Sequence, residues 1–439
     1  MLILGNLYKQ QDSLWVVVLS SIEIDGYKYA KKTQVVDDIV MYQYNIEIGD
    51  KPKHIQVGHK TITIPNVIPQ LNNTSVYFVS CDGQNTKRYN AVGDGPMSNP
   101  IKVYNVVGDT DMWKKLYDNI KKDTNIHKYV IHIGDQVYMD EANHILFDNN
   151  TTNDEIIIRR TYYDVYKSNY TNRYKKKVLR SAFNVMICDD HDFIDNYGSV
   201  PHNLTPTMLS NVFDMYKIFQ EDLYGVKKHN IKHLVFKDFQ IIIPDLRKYR
   251  QLTTDNTTKY PIMGETQMTE FDNIISNTPT NIKRTYYVST VPLVGATKLL
   301  NELYTLFSGN PTVYICDYFQ SNGRLYERKH ILDTLFEINN VVIIGGDYHY
   351  AEYYTLVKNY KEIKQITTSP MSSDPNGLVS PFYIRILAFI FVNLLYERTI
   401  DDITICKHFF IPDYNFFKTM DKKLLLCCYD KSNSKSIDM

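Results

Sequence analysis

From about residue 77 onward one pattern governs the chain: short apolar runs rich in Val and Ile stop abruptly at glycine or an acid and are separated by stretches of helical composition. The runs are 103–107, 129–133, 185–188, 239–243, 313–316 and 341–344, while 112–122 and 325–337 read as helices and 157–180 as one long polar helix. Strands that alternate with helices predict an α/β domain. Residues 1–75 read differently, as short β-type runs (14–19, 42–48, 61–64) divided by turn-prone Asp25-Gly26, Gly49-Asp50 and Asn72-Asn73. They predict a small N-terminal, antiparallel β-sandwich-like accessory domain ahead of a larger domain over 76–439. The polar stretches 141–180, 199–235 and 251–290 are expected to be loop-rich, 431–436 to be a frayed tail, and the aromatic and aliphatic stretch 382–417 either to cap the core or to form a subunit interface.

Composition narrows the function classes. Lys plus Arg and Asp plus Glu both number 49, so the formal net charge is zero and no chain-wide attraction to nucleic acid or anionic membrane is expected. Cys81, Cys188, Cys316, Cys406, Cys427 and Cys428 are scattered without a CxxC pair, which argues against a disulfide scaffold or zinc ribbon. The N-terminus lacks the basic flank and longer apolar core of a secretory signal, and the apolar stretch 384–396 is interrupted by Arg385 and Asn393 and is short of the roughly 20 residues that span a bilayer. An intracellular, cytoplasmic protein without a transmembrane segment is expected. Tyrosine is abundant at 36 residues, and with frequent Asn, Ile and Lys it fits an AT-rich coding genome; most of these rings are expected to be packing residues.

The chemistry concentrates where the strands stop: Gly108-Asp109, Gly134-Asp135-Gln136-Val137-Tyr138, Asp189-Asp190-His191-Asp192 and Gly345-Gly346-Asp347-Tyr348-His349. Open α/β sheets gather ligand-binding residues just beyond the carboxyl ends of their strands. A single strand-Gly-Asp ending most often caps a helix or makes a turn. Four endings in one chain, two of them with histidine, are different, because buried carboxylates repel one another unless cations neutralise them. A two-metal centre is the economical explanation, and it suits phosphoryl transfer: metals withdraw charge from phosphate oxygens and make hydroxide from water, and a histidine can protonate the leaving oxygen.

Taken in order, Gly-Asp-Gln-Val-Tyr at 134–138, Asp-Asp-His-Asp at 189–192 with Asp195-Asn196-Tyr197-Gly198-Ser199 behind it, and Gly-Gly-Asp-Tyr-His at 345–349 resemble the PhoD-like (alkaline phosphatase D) branch of the calcineurin-like metallophosphoesterases. The 26-residue separation of Asp109 and Asp135 agrees, as do Phe78-Val79-Ser80-Cys81, Pro244-Asp245-Leu246-Arg247 and Tyr326-Glu327-Arg328, so the resemblance covers about residues 75–375. It implies a metallophosphoesterase-type four-layer α/β/β/α sandwich and hydrolysis of phosphate mono- or diesters by metal-activated hydroxide. It implies that Asp135 bridges two metals, that Asp109, Tyr138 and His349 hold the first with Cys81 as a further ligand, and that Asp190 and Asp347 hold the second. His191 takes the place of the histidine that contacts substrate phosphate and leaving group. A phenolate and a thiolate favour Fe(III), and carboxylates favour a hard divalent ion such as Ca, Mn or Mg. The expected substrates are phosphorylated small molecules, nucleotides or phospholipids, with no stable nucleic-acid complex.

Other readings stand beside these. Asp111 competes with Asp109, Cys81 reads equally well as a buried core thiol, and Arg247 either binds a phosphate oxygen or pairs with a nearby acid. Asp189, Asp192 and Asp195 read as supporting or turn residues, His132 as a core residue, and Asp317 as a strand-end acid without an assigned role. A non-catalytic partner-binding protein on a retained metallophosphatase scaffold is the alternative function. GxxxxGK[ST], HExxH and GxSxG are absent from the sequence.

Overall fold

The computed structural model describes residues 1–10, 13–36, 38–83, 112–199, 201–225, 230–251, 261–295, 319, 324–347, 349–368, 371–372, 398–400, 402–411, 415–420, 423–429 and 431–439. Asp109, Asp111, Cys316, Asp317, the runs at 103–107 and 313–316 and the stretch 384–396 lie outside the described residues.

Two sheets form the centre. The first contains β7 (Thr74–Val79), β8 (His127–Ile133) and β9 (Phe183–Ile187), which are parallel and adjacent, and is extended beyond β7 by the C-terminal strands β18 (Asn415–Met420), β19 (Lys423–Cys428) and β20 (Lys435–Asp438). The second runs in the order β10 (Ile231–Val235), β11 (Phe239–Pro244), β12 (Arg284–Ser289), β13 (Val341–Gly345), β15 (Lys361–Thr367), β14 (Ala351–Lys358), β17 (Ile403–Ile411) and β16 (Thr399–Ile400). Strands β11, β12, β13 and β15 are parallel, and β10 and β14 run antiparallel to their neighbours.

Alternation along the strands builds the layers, because successive side chains leave opposite faces of a sheet. Val76, Phe78, Ile131, Ile133, Val185 and Ile187 of the first sheet meet Ile241, Ile243, Val288, Val342 and Ile344 of the second in one buried cluster. The outward neighbours of these residues pack under helices. Tyr77, Val79 and Val130 lie against α1 (Met112–Lys122), and Met186 against α3 (Glu155–Tyr170) and α5 (Pro206–Phe219). Ile242, Tyr287 and Ile343 lie against α6 (Gly264–Ser276) and α7 (Leu325–Leu335). The result is the expected four-layer α/β/β/α sandwich.

The N-terminal part is antiparallel, with β1 (Leu2–Gln10), β2 (Ser13–Ser20), β4 (Ile39–Glu47) and β3 (Lys31–Val36) in one sheet and β5 (Lys53–Val57) paired with β6 (Lys60–Ile64). Its core is continuous with that of the central sheets: Leu4, Leu7, Val16 and Val18 belong to the same cluster as Ile131 and Val185. Asn184 Nδ2 donates to Leu4 O at 2.8 Å and Tyr129 Oη to Leu7 O at 3.1 Å.

Three local expectations are corrected. The stretch 157–180 is two helices, α3, which stops at Tyr170, and α4 (Lys175–Ser181), whose start is marked by Asn172 Oδ1 accepting from the N–H groups of Tyr174 and Lys175. Among the described residues the polar stretches are not simply loop-rich: 141–180 is mostly helical, with α2 (Asp140–Asp148) preceding α3, and 199–235 and 251–290 each hold one α-helix and one strand. Their polar composition conceals a stripe of Tyr162, Tyr166 and Tyr170 at helical spacing, all buried, whose apolar rings supply the packing. The tail is not frayed: β20 adds to the edge of β19 and buries Ile437 opposite Leu424, a pairing that four residues cannot reveal on their own.

Among the described residues no cysteine takes part in a disulfide, and no helix is long and apolar enough to cross a membrane.

Candidate metal centre

Strands from both sheets deliver the site. The carboxyl ends of β7, β8 and β9 lead into Ser80-Cys81-Asp82, Gly134-Asp135 and Asp189-Asp190-His191-Asp192, and β13, from the facing sheet, leads into Gly346-Asp347. The ends approach so closely that a Cβ on Gly346 would lie 2.8 Å from both Ile133 O and Ser80 Oγ, and one on Gly134, at φ +80°, would lie 2.4 Å from Asp189 Cβ. Glycine at these positions lets the strand ends come together, between the two sheets at Gly346 and between β8 and β9 at Gly134.

Three overlapping groups of side chains have ligand atoms within 4.8 Å of one another: Cys81, Asp135 and His349; Asp135, Asp190 and His191; and Asp135, Asp189, Asp190 and Asp347. Asp135 is common to all three and is completely buried, and its Oδ1 has no hydrogen-bond partner among the described residues. Burial, reinforced by the charges of Asp190, Asp189 and Asp192 and opposed by His191, raises its pKa well above the ordinary carboxylate value. Cys81 (φ +55°), Asp135 (φ +55°), Asp347 (φ +67°) and His349 (φ +52°) adopt left-handed backbone conformations, which are strained for residues with a Cβ. Strain repeated at four positions around one point is held there by the surrounding structure.

That support is visible. Asp192 Oδ2 accepts from the N–H groups of Asp135 (3.0 Å) and Asp189 (2.9 Å), and Oδ1 from those of Gln136 (3.1 Å) and Val137 (3.3 Å) and from Gln220 Nε2 (2.8 Å). One carboxylate thereby fixes the loops that carry Asp135 and Asp190. Tyr138 Oη lies 3.3 Å from both Asp135 Oδ2 and His349 Nε2, which puts the phenol oxygen beside the first ligand group. The side chain of His191 is held from one side by Asp140, whose Oδ2 is 2.7 Å from Nδ1, while Asp195 Oδ1 lies 3.7 Å from Nε2. Burial alone would lower the pKa of this imidazole, but the charges of Asp140 and Asp190 and the bond to Asp140 raise it well above the usual histidine value.

Arg247 is buried and spans two acids, its Nε on Asp189 Oδ1 and its Nη2 3.2 Å from Asp190 Oδ1, with Nη1 donating to Tyr197 O at 3.2 Å. Its guanidinium is thus engaged with acids of the site. His132 hydrogen-bonds to Asn184 Oδ1 (3.1 Å), stacks on Trp113, and has its pKa lowered to about 3 by burial first and by Lys175 second, so it stays neutral within the core.

Of the residues expected at the site, Cys81, Asp135, Tyr138, Asp190, His191, Asp347 and His349 are brought together, Arg247 stands behind Asp189 and Asp190, and Asp109 lies outside the described residues. Asp140 escaped the sequence reading although it follows Tyr138 by two residues and could have been flagged as a second acid after the Gly-Asp motif. Lys175 and Asp82 gave no signal at all, since nothing local distinguishes one lysine in a basic run.

No family model matches the sequence and no curated protein is similar to it in sequence. Solved structures are similar in fold. The structure of PhoD superimposes with a TM-score of 0.58 at 12% identity, covering 100% of this chain and 91% of that one. The purple acid phosphatase PPD1 from yellow lupin (Lupinus luteus) seeds superimposes with a TM-score of 0.52, also at 12% identity, covering 100% of this chain and 73% of that one. The chain has a PhoD-like metallophosphatase fold.

Proposed function

We propose that the protein hydrolyses phosphate esters, mono- or diesters, at a dinuclear metal centre. The observation that carries this reading is Asp135: a buried carboxylate with an unpartnered oxygen, shared by ligand groups on either side. A buried carboxylate left in that state is costly, and cations on both sides of it remove the cost. Cys81, Asp135, Tyr138 and His349 would hold the first ion, with Asp109 as the expected further ligand, and Asp135, Asp190 and Asp347 the second. The phenol and thiol favour Fe(III) at the first position, and the carboxylates a hard divalent ion at the second. Bound there, such a pair neutralises phosphate oxygens and lowers the pKa of water so that attack proceeds near neutral pH.

The chain's own residues supply the rest. Asp140 engages His191 Nδ1, which leaves Nε2 as the nitrogen that can meet an ester oxygen and give it a proton as it leaves. Arg247 neutralises Asp189 and fixes Asp190, so we read it as a positioning residue and not as a phosphate contact.

The test is Asp135→Asn in the full chain, assayed for metal content and for turnover of nitrophenyl phosphate mono- and diesters. Loss of both metal and turnover is expected; wild-type metal content and rate in this variant would overturn the proposal. Metal uptake by the wild-type protein without turnover of any ester in the panel would instead favour a retained scaffold with a binding role.

A further inference from the structure

Lys175, the first residue of α4, has no exposed side-chain surface. Its ammonium donates to Asp82 Oδ2 at 2.6 Å, to Gln136 O at 3.2 Å and to Asn169 Oδ1, and it lies 4.9 and 4.8 Å from the ring centroids of Trp113 and Tyr170. Asp82 accepts in turn from Ser372 Oγ at 2.6 Å and from Asn169 Nδ2 at 3.2 Å, and its own N–H donates to Asp135 O at 2.8 Å. Backbone bonds from Met371 N to Ser80 O (2.9 Å) and from Ser372 N to Cys81 O (3.3 Å) close the far side.

One ion pair therefore ties together four segments that are distant in sequence: 80–82, 134–136, 169–175 and 371–372. Two of them carry Cys81 and Asp135, whose backbones are both held at φ +55°. Global stability alone does not call for the pair, because a buried ion pair exchanged for well-packed apolar groups of similar size often leaves a protein no less stable. Strained backbones, by contrast, persist only where neighbouring groups over-determine them, and the groups directly behind a metal ligand govern how well it binds.

We propose that Asp82 and Lys175 are positioning residues that hold the Cys81 and Asp135 loops in the geometry that captures cations. Neither touches the ions or the substrate. The proposal rests on the metal-dependent hydrolase reading given above.

The experiment compares wild type, Lys175→Met, and the double variant Asp82→Asn/Lys175→Met, which removes both charges together and so leaves none unpaired if the single variant fails to fold. Each full-length protein is stripped with chelator and then titrated with manganese(II). Thermal unfolding and tryptophan emission of the stripped forms, and turnover of a nitrophenyl phosphate ester by the reloaded forms, are measured alongside. Manganese affinity is expected to fall by about ten- to a hundredfold in the variants, with the loss largely independent of any change in the unfolding temperature of the metal-free forms. Variants that unfold earlier when stripped, yet bind manganese as tightly as wild type and turn over normally per bound ion, would overturn the proposal and leave the pair a purely structural role. Wild-type protein that takes up no manganese and is unaffected by Asp135→Asn would overturn the hydrolase reading, and this proposal with it.

Discussion

The imidazole of His191 stacks on the phenol ring of Tyr138, with centroids 4.2 Å apart and planes inclined by 23°. Tyr138 is thus two things at once: its oxygen stands beside Asp135 and His349, and its ring face sets the plane of the histidine that would meet the ester. The two roles separate by mutation. Tyr138→Phe keeps the ring and removes the oxygen, so iron-loaded protein should lose a visible charge-transfer band while turnover persists at a reduced rate. Tyr138→Ala should lose both. A Phe variant that keeps the band and full activity would show that the phenol oxygen is no ligand.

Asp140 and His191 should behave as a unit. His191→Gln removes the proton donor and should lower kcat by about two to four orders of magnitude for an ester with a poor leaving group, and much less for a nitrophenyl ester, whose leaving oxygen needs no proton. Asp140→Asn should show the same dependence on leaving group with a smaller loss, and the double variant should be little worse than His191→Gln alone. Equal losses across the leaving-group series would argue against acid catalysis by His191.

Asp192 accepts five N–H donors, an arrangement an amide cannot reproduce because it offers one acceptor oxygen and turns an NH₂ group toward donors. Asp192→Asn should cost about 3 kcal/mol of stability, since several buried N–H groups lose their partner. Denaturant unfolding of the metal-free variant measures this directly, and a loss close to zero would mean that the loop at 134–138 is held by other contacts.

The metal-free protein should lose stability as pH rises, while the extra stability that bound metal gives should grow. Burial raises the pKa of Asp135 well above its ordinary value and pushes that of Asp192 up to about 7. A carboxyl raised in this way stabilises the fold fully below its unfolded value, and that contribution is lost as pH rises through the folded value; each tenfold gain in proton affinity on folding is worth about 1.4 kcal/mol. The melting temperature of chelated protein should therefore fall between pH 5 and pH 8. Added metal requires deprotonated ligands, so the stabilisation it gives should grow over the same range. Scanning fluorimetry with and without chelator checks both trends, and chelated protein that becomes more stable toward pH 8 would contradict the carboxylate cluster.

Much of this site is local in origin and can be read directly. A buried strand that ends in Gly-Asp presents its acid at the carboxyl edge of a sheet whatever the rest of the chain does, so Gly134-Asp135 and Gly346-Asp347 were identifiable from a few residues each. The same locality explains the agreement of α1 with the stretch 112–122 and of β13 with 341–344. Where the reading failed, the cause was a partner far away in sequence or a polar atom on an apolar body. The edge strand at Lys435–Asp438 exists because β19 lies beside it, and the tyrosine stripe of α3 looked polar while its rings were the buried face.

The sequence by itself determined which acids and histidines exist and which of them end strands, because strand periodicity and glycine turns act over a handful of residues. Tertiary structure alone decided how those groups are paired. Arg247 reaches Asp189 and Asp190 across 58 and 57 residues, Asp140 reaches His191 across 51, and Lys175 reaches Asp82 across 93. Charges find partners by proximity in the packed chain, and proximity at such separations is set by how the two sheets and their helices stack, which no local pattern encodes.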